Sequence, residues 1–266
     1  MREYYKHLIS PEGEAVIPDG TEEISQNAFY NCRELRSVQL PESLERIYEG
    51  AFSNCLNLKD INIPRKLKCL GSDVFEGCNE FLKDHTVNGV CKINHILIKW
   101  DKDAIEAIVP EEITALGGSA FEDCDKLRKV RLPQNLEFIN DFAFNGCYML
   151  EEITLPEGLK FIGDGAFIFC EKLKSINIPS SVEFIDDYAF RGCESLESIV
   201  IPEGIEEIRD SCFLDCANLK QIYLPESVSY IMIEAFDNCP ELTICGTAGS
   251  YAEEYAHKNG IPFEAV

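Results

Sequence analysis

The sequence predicts a repeat solenoid, because three kinds of residue recur with one period. Nine cysteines are 23 residues apart, except that Cys78 and Cys124 are 46 apart, which is twice 23. An aliphatic-Pro dipeptide and a phenylalanine keep the same spacing, as at Leu155-Pro156 and Phe167. A unit of this length cannot bury its own apolar side chains, whereas stacked copies enclose a continuous core. The cysteines of the series are Cys32, Cys55, Cys78, Cys124, Cys147, Cys170, Cys193, Cys216 and Cys239.

The first element of each unit is a short strand. In one representative unit, Leu173 is followed by Ile176 and Ile178, so the segment ends in period-2 alternation. Pro179 then stops the strand, because proline has no N–H to donate to a neighbouring strand. Each unit is therefore expected to contribute one short rung to a sheet.

The second element is another extended piece that leads into a turn. Leu159 to Ile162 has the spacing of this piece, and Asp164 is a candidate N-cap for one short helical or 3₁₀ turn before Phe167. The residue before the repeated Cys is Gly, Asn or Asp in eight of nine units, which predicts a left-handed backbone there. Phe169 is the exception.

The repeat divides the chain into an N-terminal cap segment (1–16), a solenoid of ten 23-residue units (17–245) and a C-terminal cap (246–266). Residues 86–108 replace one unit without its Pro, Phe and Cys, and their β-rich run followed by Asp-Lys-Asp predicts a hairpin. In the tail, Ser250 and Glu253 form a capping box and Gly260 is a helix stop, which together predict a capping helix.

The repeat x-I-P-x-x-V/L-x-x-I-x-x-x-A-F-x-x-C-x-x-L-x-x-I, as read from Leu155 to Ile178, resembles the BspA-like leucine-rich repeats of the Treponema pallidum type. The resemblance covers roughly Ile17 to Cys245, and the tail from Gly249 to Phe263 is similar to tails of such proteins. It implies a leucine-rich-repeat solenoid, a right-handed superhelix. A parallel β-sheet of short strands lies on its concave face, with short helical or 3₁₀ turns opposite and a capping helix at the C-terminal end. It also implies a place on bacterial surfaces and a role in adhesion, and it does not imply an enzyme.

Composition excludes some partners. The chain has 24 Lys and Arg against 47 Asp and Glu, a net charge of -23, so nucleic acid is not expected as a partner. No apolar run is long enough to span a membrane. The N-terminal part has no apolar stretch of a secretory signal, so a cell-surface or secreted location and a cytoplasmic one both stay open.

No catalytic, cofactor-binding or metal site is predicted, and no cofactor. The cysteine series is expected to be buried free thiols, because no C-x-x-C pair occurs; Cys69, Cys91 and Cys245 lie outside it and are candidates for reactive thiols. The four histidines follow no repeat register. Carboxylates of neighbouring units are an alternative Ca²⁺ site, although capping and solvation explain them equally well. These carboxylates are Asp141, Asp164, Asp186, Asp187 and Asp210.

Three stripes of side chains are candidate partner-binding surfaces, because a solenoid repeats each outward position. The residue between the inward aliphatics of the main strand gives Arg131, Thr154, Asn177 and Tyr223. The residue after the preceding Leu gives a locally basic edge with Lys174 and Lys220. Five residues after each Pro, an aromatic stripe comprises Phe138, Phe161, Phe184 and Tyr230, interrupted by Glu207. The alternatives are a solvated sheet face without a ligand, and aromatics partly buried against neighbouring loops.

The function predicted from these features is a non-enzymatic protein–protein interaction module, of the bacterial cell-surface or adhesion type. Its partner is expected to be a protein, such as a host extracellular or surface protein, in preference to a glycan. The alternative is an intracellular scaffold or structural spacer with no tight ligand.

Overall fold

The computed structural model describes residues 5–266, so the first four residues of the predicted N-terminal cap segment lie outside the described residues. The chain divides into two compact units. Unit 1 comprises residues up to Trp100 together with Ala115–Ala120, and unit 2 comprises Asp101–Thr114 and Phe121–Val266.

The strands are short, as the repeat predicts. In chain order they are β1 (Glu14–Val16), β2 (Glu23–Ile24), β3 (Ser37–Gln39), β4 (Arg46–Ile47), β5 (Asp60–Ile61), β6 (Cys69–Leu70), β7 (Thr86–Val87), β8 (Val90–Ile93), β9 (Ile96–Lys99), β10 (Glu106–Ile108), β11 (Ala115–Leu116), β12 (Lys129–Arg131), β13 (Phe138–Ile139), β14 (Glu152–Thr154), β15 (Phe161–Ile162), β16 (Phe184–Ile185), β17 (Ser198–Val200), β18 (Glu207–Ile208), β19 (Gln221–Tyr223), β20 (Tyr230–Ile231), β21 (Thr243–Gly246) and β22 (Phe263–Ala265). The helices are α1 (Asn79–Asp84) and α2 (Tyr251–Asn259).

In unit 1, two parallel sheets have the strand orders β1-β3-β5 and β2-β4-β6. The register offset equals the repeat, as in Arg46 opposite Cys69. The segment without the repeat marks contains an antiparallel hairpin, in which β8 pairs with both β7 and β9, and β9 pairs in parallel with β11. The hairpin thus supplies a strand to which a regular strand of the unit pairs.

In unit 2, parallel sheets have the orders β10-β12-β14, β13-β15-β16, β17-β19-β21-β22 and β18-β20. Main strands show the burial expected from period-2 alternation: Ile153 is buried between the exposed Glu152 and Thr154. The predicted leucine-rich-repeat solenoid with parallel sheets is confirmed.

The turns after the second strand are single i→i+3 turns. The N–H groups of Ala166, Ile168 and Cys170 donate to carbonyls three residues earlier. Gly165 and Phe169, which lie within these turns, have φ of 54° and 60°, and their left-handed backbone interrupts what would otherwise be a continuous 3₁₀ helix. Phe169 therefore keeps the predicted backbone despite its bulky side chain.

The core of unit 2 contains a stack of phenylalanines, one from each repeat, which we call the inner column. Neighbouring rings lie 4.9 to 5.8 Å apart and are tilted by 14° or less. Phe144 and Phe167 are fully buried. The inner column consists of Phe121, Phe144, Phe167, Phe190, Phe213 and Phe236.

The predicted C-terminal capping helix is present as α2. The Ser250 hydroxyl accepts a hydrogen bond from the N–H of Glu253, and Gly260 ends the helix with φ of 70°. Tyr255 of this helix packs edge-on against Phe236, with ring centroids 6.2 Å apart. The helix therefore covers the last ring of the inner column.

Candidate interaction surface

The predicted main-strand positions lie on the surface of unit 2. Arg131, Thr154 and Asn177 are exposed, and Arg131 lies opposite Thr154 in neighbouring strands. Tyr223 is half-buried, and its hydroxyl donates to the Gln221 side chain at 3.3 Å. These side chains form a mixed polar face on regularly spaced rungs.

The predicted basic edge alternates in charge. Lys174 and Lys220 are exposed. Arg128, at the same repeat position, forms an ion pair with Glu151 of the next repeat at 3.3 Å. Exposed pairs of this kind contribute little to stability, about 0–1 kcal/mol. The edge therefore offers alternating charges to a partner, not a continuous positive strip.

The aromatic stripe faces outward but is partly covered. Phe138 and Phe161 are half-buried, whereas Phe184 and Tyr230 are 39% and 50% exposed. Phe161 and Phe184 stack in adjacent strands, with centroids 5.8 Å apart and planes 8° apart. Both sequence interpretations thus apply in part, since the rings point outward while stacking covers part of their faces.

Arg209 is a site residue that sequence reasoning missed. Its guanidinium lies 5.2 Å from the centroid of the Phe184 ring and forms ion pairs with Asp186 and Asp187 at 3.2 and 3.0 Å. A third carboxylate, Glu207, lies 3.5 Å away. The sequence does carry a signal for this residue. Arg209 is the basic residue in the acidic segment 203–210, two positions after Glu207, which occupies the stripe position of its repeat.

A groove lies beside Phe184, where the strand ladder is interrupted. β16 ends its sheet, and β18 belongs to a separate two-stranded sheet. In place of backbone pairing, the Asp187 carboxylate accepts hydrogen bonds from Arg209 Nε and from the N–H of Asp210. The groove has a volume of about 360 Å³ and is lined by Glu183, Phe184, Ile185, Gly204, Ile205, Glu206 and Glu207.

The carboxylates near the stripe are only partly exposed. Burial, followed by the charges of Asp141, Asp186 and Asp187, raises the pKa of Asp164 to about 7. Asp210 accepts a hydrogen bond from the Tyr188 hydroxyl at 3.1 Å. Within residues 5–266, no group of three or more His, Cys, Asp or Glu side chains is arranged to hold a metal ion.

The histidines of the unit 1 hairpin region contact backbone carbonyls. His85 Nδ1 lies 2.8 Å from the carbonyl oxygen of Phe81, and the two rings pack 4.4 Å apart. His95 Nε2 lies 3.3 Å from the carbonyl oxygen of Leu67. Both half-buried histidine rings therefore pack against other residues of unit 1.

All thirteen cysteines are free thiols. In seven of the nine cysteines of the repeated series the thiol donates to a Phe carbonyl of the preceding repeat, as from Cys193 to Phe167 at 3.3 Å, whereas Cys124 donates to the carbonyl of Asp101. Burial raises the pKa of Cys193 to about 12, so its reactive thiolate form is suppressed. Cys91 and Cys245 are also buried with a raised pKa, which argues against the predicted reactivity, while Cys69 is half-buried.

A 23-residue turn with one buried Leu, Ile, Phe and Cys, stacked on parallel strands, defines a leucine-rich-repeat solenoid. The chain belongs to the BspA-type leucine-rich repeat family. The family profile, a BspA type leucine rich repeat region in six copies, matches residues 12–128 and 114–243. The family suggested by the sequence is therefore confirmed.

Solved structures of bacterial leucine-rich repeat proteins share the fold. A leucine-rich repeat protein from Eubacterium ventriosum is 19% identical with a TM-score of 0.54, covering 86% of this chain and 77% of that chain. The T. pallidum leucine-rich repeat protein is 23% identical with a TM-score of 0.50, covering 96% and 86%. The pneumococcal vaccine antigen PcpA is 22% identical with a TM-score of 0.57, covering 96% and 79%. No curated protein sequence matches the chain.

Among the residues described, neither α1 nor α2 nor any other helix has the length and apolar character that crossing a membrane requires.

Proposed function

We propose that the chain is a non-enzymatic module that binds a protein partner through the surface of its solenoid. The observation that supports this most directly is the aromatic stripe, in which Phe161, Phe184 and Tyr230 keep apolar area at the surface of short hydrogen-bonded strands. A preformed ladder loses little conformational entropy on binding, so apolar contact area is converted into affinity efficiently. The polar face around Arg131 and Thr154 supplies hydrogen-bonding groups on the same unit.

We further propose a bacterial cell-surface or adhesion setting. Support comes from the family itself and from the likeness to the pneumococcal vaccine antigen, which is an antigen by its own description. A host extracellular or surface protein is the partner class that fits this setting.

The test is affinity capture of proteins from extracellular-matrix and surface fractions with the purified chain and a triple variant, Lys174→Glu, Lys220→Glu and Phe161→Ala. We expect at least one protein held by the wild type to be reduced about tenfold or more on the variant, because charged and aromatic contacts are lost together. Purified candidates are then measured by biolayer interferometry.

The matched control combines Arg65→Glu and Lys66→Glu, both exposed in unit 1 and outside all three stripes, with Tyr148→Ala, which removes an aromatic that is 41% exposed outside the aromatic stripe. Its net charge change equals that of the test variant. Equal retention of every protein by the wild type, the variant and the control contradicts the proposed interaction role and favours a spacer without a tight ligand.

A further inference from the structure

The groove beside Phe184 has a chemical character that the general interaction role does not specify. Ile185 and Ile205 lie at its base and are nearly fully buried, 4% and 3% exposed. One wall is the ring of Phe184, and the rim consists of three exposed carboxylates, Glu183, Glu206 and Glu207. An aromatic wall with an anionic rim suits a side chain that has an apolar stem and a cationic end.

The surrounding surface reinforces this charge preference. The segments 137–141, 157–164, 183–187 and 203–210, which flank the aromatic stripe, contain eleven carboxylates against one Lys and one Arg. The Arg is already paired with carboxylates, and the Lys, Lys160, pairs with Glu183 at 3.1 Å. Such a field attracts cationic segments and repels anionic ones.

The structure also shows that the Phe184 ring accepts a guanidinium. Arg209 lies 5.2 Å from its centroid, within the distance at which a cation is attracted to an aromatic face. Arg209 does not line the groove, so the groove stays open beside this internal cation.

The interruption of the ladder makes the position distinct from the other rungs. At other steps along the second strands of unit 2, backbone hydrogen bonds join neighbouring repeats. The N–H of Glu183 donates to the carbonyl of Lys160, and the N–H of Ser229 donates to the carbonyl of Glu206. β16 and β18 lie in different sheets, the side chains of Asp187 and Arg209 bond between them, and backbone bonding resumes with the N–H of Tyr188 donating to Asp210. The groove therefore lies at the one step of this row where the two second strands belong to different sheets.

We infer that this groove binds an Arg or Lys side chain presented by a basic segment of a protein partner. The inference rests on the proposed interaction function and names the chemistry of its partner. The cationic end pairs with Glu206 and shares Glu207 with Arg209. The stem lies against the exposed edge of Phe184, whose faces contact Phe161 and Arg209. Glu183 joins when the ligand displaces Lys160, whose exposed ion pair is weak.

The experiment uses the full chain and a dye-labelled hexa-arginine peptide, followed by fluorescence anisotropy at about 0.1 M NaCl, where charges beyond roughly 10 Å are screened. The control probe replaces every arginine by citrulline, which keeps the shape and removes the charge. We expect the arginine probe to bind and the citrulline probe to bind at least about tenfold more weakly, since charged hydrogen bonds are lost.

Three variants test the groove. Glu206→Gln with Glu207→Gln should weaken binding about fivefold through the lost ion pairs. Phe184→Leu keeps the net charge and should weaken binding about threefold through the lost ring interaction. Lys160→Gln should tighten binding about twofold, because Glu183 is released.

Matched controls separate the groove from general attraction to an acidic protein. Glu22→Gln with Glu42→Gln in unit 1 removes the same charge as the groove pair, and Lys172→Gln matches Lys160→Gln; all three control residues are exposed. Thermal melting checks that each variant is folded. Binding that changes equally in test and control variants, or that does not distinguish arginine from citrulline, overturns the inference.

The failure of this inference is distinguishable from failure of the proposed function. If a captured partner still depends on Lys174, Lys220 and Phe161 while the groove variants leave it and the peptide unaffected, the groove is not the site and the interaction role stands. If no partner is captured and no variant alters peptide binding, both fall.

Discussion

Unit 2 contains two rows of stacked phenylalanines that differ in what they contribute. In the inner column, Phe144 and Phe167 are fully buried with centroids 5.2 Å apart. In the aromatic stripe, Phe161 and Phe184 are 5.8 Å apart, yet Phe184 is 39% exposed. The same residue at the same 23-residue spacing thus forms core in one row and surface in the other. The neighbour in sequence decides, because the inward Ile162 turns Phe161 outward, whereas Phe167 sits in the turn that closes over the core.

The difference separates folding from recognition. Burial of the inner rings removes apolar area from water and stabilises the chain during folding. The outer rings retain part of their area, which is removed from water only when something covers it. A variant in the inner column should therefore change stability, and one in the stripe should change binding.

The largest effect is expected from Phe144→Ala. Removing this fully buried ring leaves a cavity between Phe121 and Phe167, and we expect the free energy of unfolding to fall by about 3–5 kcal/mol. Urea denaturation followed by circular dichroism measures it. Phe144→Leu is the control, with a smaller loss because most of the volume is kept. A loss below about 1 kcal/mol for the alanine variant would show that the inner column is not core.

Much of this contrast could be predicted from the sequence. The inward positions are those at which aliphatic residues recur in nearly every unit, such as Leu173 and Ile176. This recurrence predicts that their side chains are buried. The outward direction of Phe161 follows from alternation with Ile162, but its degree of burial depends on neighbours across repeats, which periodicity does not describe.

The groove could not be predicted for the same reason. It depends on Arg209 and on the interrupted pairing between β16 and β18, both of which are departures from the repeat. At Phe142 and Tyr188 the positive φ is the one that other repeats share, and the departure is the bulky side chain, which rarely adopts such a backbone. A repeat pattern predicts what its units share, whereas candidate sites arise where single units differ.

A smaller effect on the free energy of unfolding is expected from the charge of Asp164, which lies two residues after Ile162 of β15. Because its folded pKa is raised to about 7, the folded chain binds a proton more tightly than the unfolded chain, and stability falls as pH rises from about 4 to about 7. Asp164→Asn removes the charge, so the variant should exceed the wild type by about 1–2 kcal/mol at pH 8, after allowance for solvent screening.

At pH 4 the Asp164→Asn variant and the wild type should differ little, because the wild-type carboxyl is then protonated in the folded chain. Urea denaturation at both pH values measures the two differences. A gain of the same size at both values would show that the substitution acts through packing and not through the charge.

The smallest effect on stability is expected from Phe161→Ala, the stripe counterpart of Phe144→Ala. The ring is half-buried and stacks on Phe184, so its removal should lower the free energy of unfolding by about 1 kcal/mol, the size of an aromatic pair plus partial burial. The same urea series as for Phe144→Ala gives the ratio of the two losses directly. A loss of about 3 kcal/mol or more for Phe161→Ala would make the stripe a second core and remove the basis for treating it as a recognition surface. A small loss, combined with weaker partner binding, is what a ring held outward for a partner requires, because its remaining apolar area is then buried in the complex and not in the fold.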